Sequence, residues 1–285
     1  MMLSSAWPAP AKLNLFLHIT GRRSDGYHLL QTVFQFIQLK DEIDFTVLQD
    51  DVVTRSSSMP GVEVEDDLVV RAARMLKGKT GCQLGVDINV TKRIPEGGGL
   101  GGGSSDAATT LVALNELWKT NLSNDELAKI GLSLGADVPV FVYSHAAWAE
   151  GVGENFTPIE PEESWYLLIH PGCSIATSEV FNADDLTRNT SAITIRDFLE
   201  RGGRNDCESV VRKHYKEVAN ALDWLGEFAP TKLTGTGACL FAPFSNEQEA
   251  MAVKEQMPNE WQGYVVKGMN MSPLIERLET ERNNK

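Results

Sequence analysis

The sequence predicts an α+β fold with two domains. In both halves of the chain, apolar residues recur with the two-residue period of strands in some segments and with helical spacing in others. A length of 285 residues fits one large domain or two smaller ones. The segment Thr157–Trp165 is rich in proline and acidic residues, as linkers often are. We therefore predict an N-terminal domain over residues 1–156 and a C-terminal domain over residues 157–285.

Alternation of polar and apolar residues predicts a first strand over residues 13–19. This strand would place Lys12 and Asn14 on one face, about 7 Å apart. A charged, turn-forming segment over residues 21–26 predicts a loop. Further strands are predicted over residues 30–39, 43–48 and 86–90, and a helix over residues 66–76.

A glycine-rich loop then leads into an amphipathic helix that continues to Trp118. The capping box Ser123–Glu126 opens another helix, which ends near Gly135. The apolar run Val138–Tyr143 is interpreted as a short buried strand. In the second half of the sequence, the pattern predicts a strand over residues 166–170 and helices over residues 206–228 and 247–256. It also predicts a pair of strands over residues 233–244, interrupted at residues 235–237. The charged tail 276–285 is expected to fray. Whether the final segment packs back on the first domain stays open.

Six of the seven residues from Gly97 to Gly103 are glycine. Glycine tolerates positive φ and lets a ligand come close to backbone N–H groups. The helix that follows adds unpaired N–H groups and the positive end of its dipole. The loop is therefore predicted to bind phosphate, with Ser104 and Ser105 able to cap the helix or to reach a phosphate oxygen or a metal ion. A flexible linker fits less well, because the loop lies tightly between a periodic strand and a periodic helix.

The loop pattern alone does not identify the nucleotide. Gly97, Gly99 and Gly102 satisfy the dinucleotide pattern, but the acidic residue expected about 20 residues later is replaced by a helix cap. The Walker pattern requires a lysine after its last glycine, and the loop has none there.

Composition limits the partners and the compartment. A formal net charge of −13 makes duplex nucleic acid and anionic membranes poor partners, so neither is predicted. The N-terminus lacks the basic segment of a signal peptide, and no run approaches the roughly 18 apolar residues of a membrane span. The four cysteines match no zinc or redox spacing, which predicts reduced thiols and a cytoplasmic location.

Three motifs together resemble those of the GHMP small-molecule kinases. The stretch Pro95–Ala108 resembles their ATP loop, Pro10–Leu15 their N-terminal motif and Leu233–Cys239 their C-terminal glycine motif. The resemblance implies an N-terminal ATP-binding domain like ribosomal protein S5, a C-terminal α/β sandwich domain and an active-site cleft between them. Further stretches resemble the branch of the family that acts in the non-mevalonate isoprenoid pathway: Ala11–Leu15, Asp25–His28, Leu134–Phe141, Ala149–Glu154 and Asn205–Glu208. The likeness runs from about Trp7 to about Pro273, with Cys207 as a small departure from the expected aliphatic residue.

This resemblance implies transfer of the γ-phosphoryl group of ATP to the 2-hydroxyl of an erythritol derivative that carries cytidine diphosphate. Asp137 would accept the hydroxyl proton, and Lys12 would keep Asp137 ionised and offset developing charge. Asn14 would help to orient the substrate. ATP would lie on Pro95, Glu96, Gly97, Gly98, Gly99, Leu100, Gly101, Gly102, Gly103, Ser104 and Ser105. Mg²⁺ would be carried by the nucleotide, and no side chain is singled out as its ligand.

For the cytidine part, the resemblance implies Tyr27, His28 and Phe181, with Phe34 and Val152 as lesser candidates. The chain is expected to be a monomer or a weak homodimer. Simpler structural roles remain open: Asp137 as a turn residue, Lys12 as a solvated lysine and Phe181 as core packing. The functional alternatives are another GHMP kinase that acts on mevalonate, homoserine or a sugar, a non-catalytic ligand sensor on the same fold, and a dinucleotide-dependent oxidoreductase.

Overall fold

The computed structural model describes residues 2–58 and 61–283. Its strands are Met2–Arg22 (β1), His28–Leu48 (β2), Val53–Arg55 (β3), Gly85–Thr91 (β4), Ala147–Glu150 (β5), Asn155–Pro158 (β6), Trp165–His170 (β7), Lys232–Leu233 (β8), Leu240–Phe244 (β9) and Gln262–Met269 (β10). Its helices are Leu68–Thr80 (α1), Gly102–Leu117 (α2), Asn124–Leu132 (α3), Val138–Tyr143 (α4), Thr177–Asn182 (α5), Ile195–Arg201 (α6), Glu208–His214 (α7), Lys216–Gly226 (α8), Glu247–Lys254 (α9) and Pro273–Asn283 (α10).

The long antiparallel hairpin of β1 and β2 forms the spine of the molecule. Each strand has 21 residues, and Asn14 lies opposite Phe34 in the register. Several register shifts occur along the hairpin, and such irregularities let long strands bend. β10 pairs with both β2 and β7, so hydrogen bonding continues from the first half of the chain into the second. The predicted domain boundary after residue 156 stays a prediction.

Among the described residues, three apolar clusters hold the fold together. One lies between the sheet of the first half and helices α1 to α4, and another lies between β7, β9 and helices α7 and α8. The third joins the two halves, because Leu13 and Ile37 of the hairpin cluster with Leu168 and Phe241 of the second half. No helix in the described ranges combines the length and apolarity needed to cross a bilayer.

The interpretation of Val138–Tyr143 as a strand is wrong, since this segment is helix α4. Its first five residues are all buried. An apolar run buried on every side has no helical period to distinguish it from a strand. Pro139 at the start of the segment is a helix signal, because proline is favoured in the first helical turn.

Two further predictions about helix ends are corrected. α2 begins at Gly102, within the glycine loop, and its N-cap Gly101 makes no side-chain cap bond, so Ser104 and Ser105 are not caps. The tail, expected to fray, forms α10 as far as Asn283, while residues 284–285 lie outside the described residues. α10 packs back on the first half: Leu274 is buried, and the Arg277 guanidinium lies 4.4 Å from the ring centroid of Trp7.

Candidate active site

Two cavities meet at the glycine loop. The central cavity, of about 760 Å³, opens between β1, β2, the start of α4 and α5. The loop cavity, of about 370 Å³, lies on the other side of the loop, against the start of α1 and of α2. Gly99 and Gly101 line both cavities. The loop is therefore a thin backbone wall where ligands in the two cavities can meet.

The loop follows a path that only glycine accommodates well. Gly97, Gly99 and Gly101 have φ of 66°, 73° and 74°. A Cβ atom on Gly99 would lie 2.4 Å from the carbonyl oxygen of Thr234. The backbone N–H groups of Ala238 and Cys239 donate to the carbonyls of Gly97 and Gly98, at 3.0 and 3.2 Å. The C-terminal glycine motif thus holds the loop in place.

Lys12 connects the first strand, the loop and the start of α4. Its buried ammonium donates to the carbonyl of Gly99 at 2.9 Å and to Asn14 Oδ1 at 2.5 Å. It also lies 3.3 Å from Asp137 Oδ2. The alternating strand pattern predicts that Lys12 and Asn14 share a face, and their hydrogen bond confirms it. Two hydrogen bonds and one ion pair therefore fix the position of the ammonium.

Asp137 lies at the start of α4 and lines the central cavity. Its side chain is 35% exposed and makes no cap bond to the helix. The carboxylate is therefore held by Lys12 while remaining open to the cavity, an arrangement suited to accepting a proton from a bound alcohol.

Asn14 is committed to protein contacts. Its backbone N–H donates to Thr234 Oγ1 at 3.0 Å, and its side-chain Nδ2 donates to Thr32 Oγ1 at 2.9 Å. Because its Oδ1 accepts from Lys12, the side chain fixes the ammonium. Its role towards the substrate stays a prediction.

A buried charge cluster lies beside the loop cavity, and the sequence reasoning missed it. Lys92 Nζ donates to Asp41 Oδ2 at 2.6 Å and to Asp106 Oδ2 at 2.7 Å. Burial raises the pKa of Asp106 to about 7, against the opposing charge of Lys92. Asp106 precedes the apolar Ala107–Ala108 on the buried face of α2, and a carboxylate at such a position requires a cationic partner. This position of Asp106 beside two alanines is the signal in the sequence that could have revealed the charge cluster.

The predicted ATP residues divide between the two cavities. The residues from Pro95 to Gly103 all line the loop cavity. Ser104 lines the central cavity, while Ser105 lines neither and is buried. Its Oγ has no hydrogen-bond partner in the described part of the chain.

The six residues predicted for the acceptor all line the central cavity: Asn14, Tyr27, His28, Phe34, Val152 and Phe181. The rings of His28 and Phe181 are stacked, with centroids 5.0 Å apart and an interplanar angle of 27°. Tyr27 is 64% exposed, and Phe34 is buried with its ring 5.4 Å below the Lys12 ammonium. The cavity therefore has an ionic end at Lys12 and an aromatic end at His28.

Several lining residues were not found from the sequence. Thr177 and Thr236 line the central cavity, and their hydroxyl oxygens lie 3.2 Å apart. Arg188 lies behind the aromatic end, and its Nε donates to His28 Nε2 at 3.1 Å. Thr177 and Arg188 lie outside every motif found in the sequence and so gave no signal, whereas Thr236 lies within the C-terminal glycine motif but was assigned no role.

Comparison with known proteins identifies the family. A model described as the GHMP kinases N terminal domain matches residues 67–145, and one described as GHMP kinases C terminal matches residues 185–263. The chain is 55% identical over 284 residues to the 4-diphosphocytidyl-2-C-methyl-D-erythritol kinase of Alkalilimnicola ehrlichii, covering 100% of this chain and 98% of that protein. The chain belongs to the 4-diphosphocytidyl-2-C-methyl-D-erythritol kinases, a family within the GHMP kinases. A second member, from Nitrosococcus oceani, is 56% identical over 273 residues, covering 96% of this chain and 98% of that protein.

Solved structures agree with this family. A crystal structure of 4-(cytidine 5'-diphospho)-2C-methyl-D-erythritol kinase matches with a TM-score of 0.79 at 29% identity, covering 94% of this chain and 99% of that one. A mevalonate kinase matches with a TM-score of 0.69 at 17% identity, covering 95% and 100%, a likeness that shows the fold alone. The predicted two-domain GHMP kinase fold is confirmed, and membership in this family favours the predicted kinase over the alternatives.

Proposed function

We propose that the protein transfers the γ-phosphoryl group of ATP to the 2-hydroxyl of 4-diphosphocytidyl-2-C-methyl-D-erythritol, giving the 2-phosphate and ADP in the non-mevalonate isoprenoid precursor pathway. The observation that carries the proposal is the position of Asp137 and Lys12, 3.3 Å apart beside the loop that separates the two cavities. A donor bound on one side of the loop and an alcohol bound on the other would meet at this pair.

On the donor side, the loop amides and the N-terminus of α2 would bind the phosphates, with the rest of the nucleotide in the loop cavity. Mg²⁺ would enter with ATP, where it neutralises charge on the β- and γ-phosphates. Asp106 fits such a charged complex, because its buried Oδ1 has no partner among the described residues and its carboxyl lines this cavity.

At the reaction centre, Asp137 would accept the proton of the tertiary alcohol as the bond to phosphorus forms. Lys12 would keep the carboxylate charged and would stabilise the negative charge on the transferred group. Phosphoryl transfer depends mainly on positioning and charge neutralisation, so this pair and the loop amides supply what the reaction needs.

On the acceptor side, the aromatic end of the central cavity would bind cytosine. Phe181 and Tyr27 offer ring faces, and stacking on a base is worth about 1–3 kcal/mol. The side chain of His28 would read the base edge. These assignments also favour a nucleotide-bearing acceptor over mevalonate, homoserine or a sugar.

A test offers the purified chain ATP and Mg²⁺ with each of four acceptors: the cytidine substrate, mevalonate, homoserine and galactose. We expect ADP release with the cytidine substrate and little with the others. Release with a different acceptor would reassign the substrate, and tight ligand binding without ADP from any acceptor would indicate a sensor. A cytoplasmic location and a monomeric or weakly dimeric state stay predictions, for fractionation and light scattering to test.

A further inference from the structure

Arg188 makes four hydrogen bonds at the aromatic end of the central cavity. Its Nε donates to His28 Nε2 at 3.1 Å, and its Nη1 donates to the carbonyl of Leu186 at 3.1 Å. Its Nη2 donates to the carbonyls of Phe181 and Ala183, at 3.0 and 2.7 Å. A single guanidinium therefore joins the histidine of β2 to the C-terminal end of α5.

The contact with His28 fixes where the imidazole carries its proton. Arginine has only donors, so the Nε2 atom that faces it must be the acceptor of a neutral ring. The proton of His28 then resides on Nδ1. No described residue hydrogen-bonds this Nδ1, and the ring lines the central cavity, so Nδ1–H is left to donate to a ligand. Burial, the charge of Arg188 and that of Arg22 lower the pKa of His28, which also favours the neutral ring.

We propose that Arg188 is a positioning residue that sets His28 as a hydrogen-bond donor and so makes the site prefer cytosine over uracil. The inference rests on the proposed function, which places the base at this end of the cavity. Cytosine presents two acceptors, N3 and O2, on its pairing edge, whereas uracil carries a proton on N3. A fixed Nδ1–H therefore complements N3 of cytosine and opposes N3–H of uracil.

The same residue positions the stacking face. Phe181 and Ala183 lie at the C-terminal end of α5, where helix carbonyls lack intrahelical partners. The Nη2 bonds of Arg188 satisfy two carbonyls there and hold the Phe181 ring against His28. Lysine could donate one bond to His28 but could not reproduce the planar fork of donors.

The experiment uses the full-length protein and measures binding of cytidine 5'-diphosphate (CDP) and uridine 5'-diphosphate (UDP) by calorimetry at pH 7.5. The wild-type protein should bind CDP about 10- to 100-fold more tightly than UDP, the range of one well-placed base contact. Arg188→Met should reduce this preference to less than about threefold, because the His28 ring can then adopt either tautomer. Arg188→Lys should restore part of it. Arg196→Met, at a position 86% exposed, is the matched control and should match wild type.

A second readout separates positioning from a structural role. Nitrogen-15 spectra of histidine-labelled protein, assigned with His28→Gln, should show the Nδ1–H tautomer in wild type, and the His28 pKa should rise in Arg188→Met. An Nε2–H tautomer in wild type would overturn the proposal, as would equal loss of CDP and UDP binding with the His28 tautomer and pKa unchanged. Failure of the proposed function is distinguishable: wild type would then release no ADP with the cytidine acceptor, whatever the base preference.

Discussion

Asp137 Oδ2 lies 3.3 Å from Lys12 Nζ, and the same ammonium donates to the carbonyl of Gly99 in the glycine loop. One lysine thus fixes the distance between the carboxylate and the backbone of the glycine loop. A change at either residue should affect turnover more than it affects ligand binding, because the interactions of this pair strengthen as charge develops in the transition state.

Asp137→Asn should lower kcat by several decades without unfolding the protein. The amide cannot accept the hydroxyl proton, yet it preserves the shape of the side chain. Little stability should be lost, since the side chain is 35% exposed and makes no cap bond to α4. ADP release and thermal unfolding measure the two effects. Asp51→Asn, in the exposed turn after β2, is the control, and near-normal turnover of Asp137→Asn would remove Asp137 from the mechanism.

Lys12→Met should lose both turnover and stability. The half-buried carbonyl of Gly99 and the buried amide oxygen of Asn14 would each lose a donor, and an unsatisfied buried acceptor costs about 1–3 kcal/mol. We expect a decrease of that size in the free energy of unfolding in urea, together with a kcat reduced by several decades. Lys129→Met, at an exposed position on α3, should change neither quantity. Unchanged stability in Lys12→Met would contradict the structural part of this prediction.

Gly99→Ala tests whether the loop backbone must lie against the C-terminal glycine motif. The new Cβ would lie 2.4 Å from the carbonyl oxygen of Thr234, at a φ of 73°. The left-handed conformation alone costs about 1–2 kcal/mol for a residue other than glycine. We therefore expect lower stability and a higher KM for ATP. Gly78→Ala is the matched control, because a Cβ there meets nothing within 4 Å on the exposed face of α1, and it should stabilise the protein by about 0.5–1 kcal/mol. Equal stability of the two variants would contradict the prediction.

Local patterns in the sequence predicted the parts of the site that lie close together along the chain. Alternation placed Lys12 and Asn14 on one strand face, and the run of glycines between a strand and a helix predicted a loop there, whose binding of phosphate stays a prediction. The proximity of Asp137 to Lys12 came from the family resemblance, because no local pattern reports which distant segments fold together.

The remaining features depend on tertiary structure. The partners of Lys92 are Asp41 and Asp106, which lie on a strand and a helix separated in sequence, so their charges alone could not show that they pair. From Glu276 onward α10 is mostly charged and resembles a fraying tail, but buried Leu274 and the contact of Arg277 with Trp7 hold it in place. In Val138–Tyr143, burial on all sides removed the periodicity that would have distinguished a helix from a strand.

Phe181→Ala should weaken binding of the cytidine substrate and leave binding of ATP unaffected. The Phe181 ring stacks on His28 at the aromatic end of the central cavity, and it does not line the loop cavity. Loss of a stacking face worth about 1–3 kcal/mol predicts a KM for the cytidine substrate raised by roughly 5- to 150-fold. The KM for ATP, measured at saturating acceptor, should stay within about twofold of wild type. Phe181→Tyr keeps the ring face and should restore most of the affinity, and a rise in the KM for ATP of the same size would place Phe181 elsewhere in the mechanism.

Acidification should weaken acceptor binding. The pKa of His28 is lowered by burial and by the charges of Arg188 and Arg22, so the ring is neutral at pH 7. Protonation at lower pH would place a cation against Arg188, and the KM for the cytidine substrate should rise as the pH falls below 6.5 and the ring becomes protonated. Because the unfolded chain takes up this proton near pH 6.5 and the folded chain only below it, stability should also fall as the pH drops through that window. Thermal unfolding at pH 7 and at a pH below 6.5 checks the sign, with a smaller dependence expected in His28→Gln. An acceptor KM that stays flat while nitrogen-15 spectra show His28 becoming protonated would mean that the ring does not need to be neutral.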